Sequence, residues 1–268
     1  MVSAKIYILD FGRAESDPSW FIYGANIQQL GLKKLFPGTI RTAFIGALII
    51  HPSGNILFDT GPHPEAKKVW PKELYEALPI VEYGDQNKLE NILNIIGLKI
   101  EDIDYIIMSH LHLDHTGGLH LFRDTGTPIY VHEKEIKHAY YSVTTKTDPA
   151  YLAQDLDVGL NWKPWHGEKL EIFEDVFLYH TPGHTAGHCS MRIKLEKTGN
   201  IIFTADLCHL KENFENEIPL GWLMTDRTKW LKSLRKLKLI AEKYKAVVVY
   251  GHDAKKLEEL KRAPFYYE

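Results

Sequence analysis

Short apolar runs recur along the chain at 5–9, 42–50, 56–58, 105–108, 129–131, 176–181, 188–195, 201–205 and 246–250. Glycine, proline, asparagine or aspartate bounds most of them, so each predicts a short buried strand closed by a turn. Two segments carry apolar residues at helical spacing instead. Leu89, Ile92, Leu93 and Ile96 fall at i, i+3, i+4 and i+7, with Asp85 as the expected N-cap and Gly97 as the residue that ends the helix. Trp230, Leu231, Leu234, Leu237, Ile240, Ala241 and Tyr244 predict the clearest amphipathic helix, a core-packing element. Another helical stretch starts near Glu133, and residues 62–84 are expected to hold a short helix. Residues 11–40, with Gly12, Pro18, Gly24, Gly31 and Pro37, read as a packed irregular segment, and 140–165 as loop-rich and aromatic.

One faint echo runs through this pattern. Gly54-Asn55-Ile56-Leu57-Phe58-Asp59 resembles Gly199-Asn200-Ile201-Ile202-Phe203-Thr204-Ala205-Asp206, each a Gly-Asn turn, an apolar strand and a terminal aspartate. It hints at two similar halves.

Composition narrows the class. The chain has 268 residues, 44% of them hydrophobic, enough for one large domain spanning 1–268 with a sizeable core. Its 32 basic and 35 acidic residues form no long block of one sign, which argues against a nucleic-acid or membrane partner. No run of about 18 apolar residues is present, and Met1 to Asp10 does not read as a signal peptide, so a cytoplasmic location is expected. The two cysteines, Cys189 and Cys208, are too few for a disulfide framework and are expected as buried thiols.

Histidine changes the picture. After the 105–108 run comes Ser109-His110-Leu111-His112-Leu113-Asp114-His115-Thr116-Gly117, with Leu111 and Leu113 alternating against the polar residues. Three imidazoles and a carboxylate in so short a span suit a transition-metal ion. Other candidates follow the ends of other strands: His184 after 176–181, Asp206 after 201–205, His252 after 246–250. The carboxyl edge of strands is where α/β sheets assemble sites. Five imidazoles and two carboxylates exceed one tetrahedral ion; two ions about 3.5–4 Å apart would use all seven.

With its His-x-His-x-Asp-His run and its later partners in order, the chain resembles the metallo-β-lactamase superfamily. Within it the chain is most similar to the metal-dependent N-acyl homoserine lactone lactonases, through 85–97, 109–118, Thr181-Pro182-Gly183-His184, Gly187-His188, 211–215 and Gly251-His252-Asp253. The resemblance implies an α/β fold, an αββα sandwich of two facing mixed β-sheets with helices outside. It implies one divalent ion on His110, His112 and His184, a second on Asp114, His115 and His252, and Asp206 bridging them, with zinc, iron, manganese or cobalt as the ion. It implies a small-molecule lactone as substrate, opened by a hydroxide that bridges the ions, with Asp114 shuttling the proton; a homodimer is an admissible assembly. Thioester hydrolysis of the glyoxalase II type, or hydrolysis of another lactone, is the alternative, and phosphodiester cleavage or a non-catalytic metal sensor ranks below it. In these lactonases a tyrosine three residues after the bridging aspartate helps hold the substrate carbonyl; here His209 stands there, either donating to a developing oxyanion or standing by.

Other residues take lesser roles. Asp59 is expected to accept a hydrogen bond from a ligand histidine's other nitrogen, or to cap a turn. His188 is left out of the ligands. His51, His63, His120, His132, His138, His166 and His180 are read as structural or surface histidines. Trp20, Phe21 and Tyr23 are the candidates for an acyl pocket.

Overall fold

The computed structural model describes residues 4–25, 38–156 and 159–268; Gly31 and Pro37 lie outside them. Twelve strands are formed among the described residues: β1 Lys5–Ser16, β2 Ile40–Ile50, β3 Ile56–Phe58, β4 Ile80–Glu82, β5 Tyr105–Ile107, β6 Pro128–His132, β7 Asn161–Trp165, β8 Lys169–Phe173, β9 Val176–His180, β10 Cys189–Leu195, β11 Gly199–Phe203 and β12 Val247–Val249. They make a seven-stranded sheet in the order β4-β1-β2-β3-β5-β6-β7 and a five-stranded sheet in the order β12-β11-β10-β9-β8. In the first, β3, β5, β6 and β7 run parallel. In the second, β8 to β11 are antiparallel and β12 lies parallel to β11.

Strand periodicity explains the layering. Along β1, Ile6 and Ile8 point one way and Tyr7 and Leu9 the other; along β2, Ala43, Ile45, Ala47 and Ile49 oppose Phe44 and Leu48. One set meets Leu178, Met191, Ile193, Ile201 and Phe203 of the second sheet and forms the core between the sheets. The other set packs under helix Leu89–Ile96 and its neighbours. On the far side, Phe177, Tyr179 and Ile202 pack against Trp230, Leu234 and Leu237 of helix Arg227–Tyr244. The result is helices, sheet, sheet, helices, the expected αββα sandwich. Both faces of these strands are covered, so they read as unbroken apolar runs.

The internal echo has a structural counterpart. β3 lies between an antiparallel β2 and a parallel β5; β11 lies between an antiparallel β10 and a parallel β12. Gly54 and Gly199 ahead of them adopt φ of 132° and 81°, which a side chain would strain.

Some expectations need correction. Asp85 is not the cap of helix Leu89–Ile96. It opens the separate 3-10 turn Asp85–Asn87, and Lys88 precedes the helix. Gly97 ends that helix in the left-handed region, as read. Of the segment 11–40, the described part 11–25 is less irregular than it looked. β1 continues to Ser16 across a register shift between Asp10 and Arg13, where Arg13, though buried, is paired with Asp10. Residues 62–84 hold two short helices, Ala66–Val69 and Lys72–Ala77, and then β4. The aromatic stretch 140–165 contains β7, an edge strand, the place in a sheet where a proline such as Pro164 is tolerated. No helix among the described residues is long and apolar enough to cross a membrane.

Candidate metal centre

The strand directions bring the candidate ligands to one edge. β3 and β5 are parallel, so Asp59 and the 109–117 loop leave the first sheet together. β9, β11 and β12 point one way in the second sheet, so His184, Asp206 and His252 follow on the same side. After β5 the chain makes the one-turn helix Leu113–Thr116, with His112 at its N-cap and Asp114 and His115 inside it. Gly117 lets this turn settle on the loop after β3: a Cβ there would lie 1.9 Å from the His63 nitrogen. The backbone also strains here. Asp59 and Ala205 hold φ of 57° and 44°, and each turns the chain sharply at the end of a strand, costing of order 1–3 kcal/mol apiece.

The ring nitrogens converge in two groups. His184 Nε2 lies 3.1 Å from His110 Nε2 and 3.0 Å from His112 Nδ1. Asp114 Oδ2 lies 3.7 Å from His115 Nε2 and 3.6 Å from His252 Nε2. Asp206 stands between the groups. Its Oδ1 is 3.3 Å from His115 Nε2 and 3.1 Å from His252 Nε2. Its Oδ2 is 3.4 Å from His184 Nε2 and 3.8 Å from His110 Nε2. Donors held about 2.0–2.1 Å from a tetrahedral ion are separated by roughly 3.3 Å, so these spacings are those of a coordination shell. The donor sets fit divalent metal ions.

The far nitrogens fix the tautomers. His184 Nδ1 donates to the Leu223 carbonyl, His252 Nδ1 to the Ala43 carbonyl at 2.8 Å, and His115 Nδ1 to Asp59 Oδ2 at 2.9 Å. Ser109 Oγ gives its proton to Asp59 Oδ2, so it accepts from His110 Nδ1 at 3.0 Å. Each of these four histidines therefore turns its other ring nitrogen inward, the one that would bind an ion once free of its proton. Asp59 accepts from the Ser109 N–H as well, at 2.7 Å, and so ties His110 and His115 to one carboxylate.

Electrostatics differ across the site. Burial holds the pKa of His110 and His184 well below the ordinary value, and that of His112 down to about 3, so all three are neutral donors. Burial also opposes charge on His115, yet the carboxylates of Asp114, Asp206 and Asp59 hold its pKa well above the ordinary value. His252 is raised against its burial by Asp206 and Asp114. Where carboxylates draw protons onto imidazoles, a dication displaces those protons on binding.

Above this floor opens a narrow cleft of about 60 Å³. His112, Asp114, His184 and Asp206 face it, and Trp20, Phe21, Trp70, Leu74, Leu78 and Leu223 form an apolar wall. Trp20 and Phe21 are thus where the sequence suggested. Tyr23 is not: it is 57% exposed, its ring beneath the Arg227 guanidinium and outside the wall. His209 is placed beside Asp206. It is fully buried and does not line the cleft; its Nε2 lies 3.1 Å from Asp206 Oδ2, and the Phe21 ring meets it edge-on at 5.2 Å.

Of the other histidines, His51 pairs with Asp175, and His132 stacks on His180 with ring centroids 4.0 Å apart, away from the donor groups. His188 Nδ1 donates within the 181–188 loop, to Thr181. Cys189 and Cys208 are free and buried. Sequence reading missed Ser109 as a relay, Trp70, Leu74, Leu78 and Leu223 as wall residues, and Glu135, a buried carboxylate reaching both ligand loops. None carried a local signal: each looks like an ordinary serine, apolar residue or helix-start acid.

Comparison with known proteins agrees with this geometry. The profile of the metallo-beta-lactamase superfamily matches residues 46–252. An N-acyl homoserine lactonase of Bacillus sp is 33% identical over 270 residues, covering 99% of this chain and 100% of its own. One of Bacillus cereus is 32% identical with the same coverage. The structure of an N-acyl homoserine lactone hydrolase, with the product N-hexanoyl-L-homoserine at its catalytic metal centre, superposes with a TM-score of 0.84 at 29% identity, covering 100% of both chains.

Proposed function

The chain belongs to the metallo-β-lactamase superfamily, among its N-acyl homoserine lactonases, and on that premise we propose that it hydrolyses the lactone ring of N-acyl homoserine lactones, a quorum-quenching activity. The observation that carries this reading is the position of Asp206, whose carboxylate lies within reach of ring nitrogens from both donor groups at the floor of an apolar cleft. His110, His112 and His184 would hold one divalent ion and Asp114, His115 and His252 a second, with Asp206 shared. Zinc suits these donors, and iron, manganese and cobalt suit them too. Such a pair supplies a nucleophilic water near neutral pH and polarises a carbonyl.

The chain's own groups do the rest. The apolar wall takes the acyl chain and keeps bulk water from the ring. Asp114, on the cleft, takes the proton of the attacking water and returns it to the ring oxygen as the acyl C–O bond breaks, giving the open N-acyl homoserine. His209 braces Asp206 through its Nε2.

Hydrolysis of a panel of acyl homoserine lactones of increasing chain length, beside a thioester and a phosphodiester, tests the proposal. Ring opening should dominate and improve as the acyl group grows enough to reach Trp70 and Leu74. A protein that cleaves the thioester and leaves every lactone intact refutes it.

A further inference from the structure

We propose that Glu135 is a positioning residue that clamps the two loops carrying His110, His112 and His184 and so holds these three rings on one ion; the inference rests on the reading that they share an ion. Glu135 sits in the first turn of helix Glu133–Thr145, yet its side chain points into the interior and is fully buried. Four neutral donors reach it. Oε1 accepts from the Leu111 N–H at 3.1 Å and from the Tyr151 hydroxyl at 2.9 Å. Oε2 accepts from the Thr185 hydroxyl at 2.6 Å and the Gly187 N–H at 2.9 Å.

The placement of these donors defines the role. Leu111 lies between His110 and His112, and Thr185 follows His184. Tyr151 packs its ring against His112, with centroids 4.8 Å apart. That contact matters because His112 Nε2 is buried without a hydrogen-bond partner, so ring packing must hold its orientation. One carboxylate therefore fixes both sides of the triad. The second loop comes to Glu135 at close range: a Cβ on Gly187 would lie 2.1 Å from the Glu135 nitrogen. As a fold-stabilising device a buried carboxylate is a poor choice, since an apolar side chain of similar volume fills such a space at lower cost. What it provides is acceptor geometry for two backbone N–H groups that cannot rotate away.

Glu135→Gln separates positioning from packing. The amide keeps the volume, but whichever end becomes NH2 confronts the N–H of Leu111 or Gly187. The holoenzyme, loaded with cobalt(II), is titrated with dipicolinate while the visible ligand-field spectrum is recorded. His115→Ala marks the release of the other ion. Glu135→Gln should release one equivalent with affinity reduced about 10–100-fold, with a changed spectrum, while the second equivalent keeps its wild-type midpoint. Thr185→Val and Tyr151→Phe, which each remove one accepted bond, should give part of the same shift, and they decide the matter should Glu135→Gln not fold. Wild-type midpoints and spectrum in folded Glu135→Gln, or equal loss of both equivalents, overturn the clamp. Wild-type protein that retains no cobalt overturns the metal reading itself.

Discussion

At Asp206 one substitution bears on the whole site, because its carboxylate meets ring nitrogens of both donor groups. Asp206→Asn should bring lactone turnover down to background and lower the bound-metal content measured by elemental analysis. His209 separates two ideas about the same position. If it only braces Asp206, His209→Phe should lower kcat about 10–100-fold with little change in KM, since the imidazole does not line the cleft. A KM effect alone would return His209 to the substrate. Much of this was legible at the residue level. The alternation of Leu111 and Leu113 with polar neighbours, and the aspartates and histidines just past strand ends, pointed to the donors directly. His209 and Tyr23 were not legible, because reach and burial depend on the chain packed around them.

Helix Arg227–Tyr244 supports the site through its first turns. The Trp230 indole N–H donates to the Leu207 carbonyl at 2.7 Å, one residue after Asp206, and Gly183, one before His184, packs against the Trp230 backbone. Trp230→Ala should cost about 3–5 kcal/mol by cavity formation, seen in urea unfolding, and should weaken metal retention as well. The short helix Leu113–Thr116 shows a different dependence. Its Thr116 hydroxyl donates to Asp155, whose carboxyl is pushed by burial up to about 6. A carboxyl raised in this way favours the folded state while protonated, and that contribution is lost as pH rises through about 6. Asp155→Asn should therefore exceed wild type in stability by roughly 2–3 kcal/mol at pH 8, with the difference closing toward pH 4. A constant difference across that range would show that Asp155 is not the group responsible.

Over the whole molecule, two sheets share one core and meet at one edge, so ions bound there tie the sheets together. Ligand binding to the folded state alone adds about 2.7 kcal/mol at a hundredfold excess over Kd. Chelation should accordingly abolish turnover and lower the melting temperature, and added zinc or cobalt should restore both. Unchanged melting in chelator would mean that the edge is held by protein contacts alone.

The sequence by itself determined the elements and their chemistry. Apolar period and turn residues are local properties, and ligand types must be written in the chain, so the strands, the histidine run and the later partners were readable in one dimension. The Gly-Asn echo hinted at two similar halves, and β3 and β11 do have matching neighbours. Tertiary structure alone decided which groups meet. Glu135, Trp70 and Leu223 come to the site from segments with no motif, and Ser109 takes its part only through Asp59, by burial and hydrogen bonds that link distant residues. β7, polar and at a sheet edge, forms because a neighbour offers a ladder, and no clear local periodicity announces that.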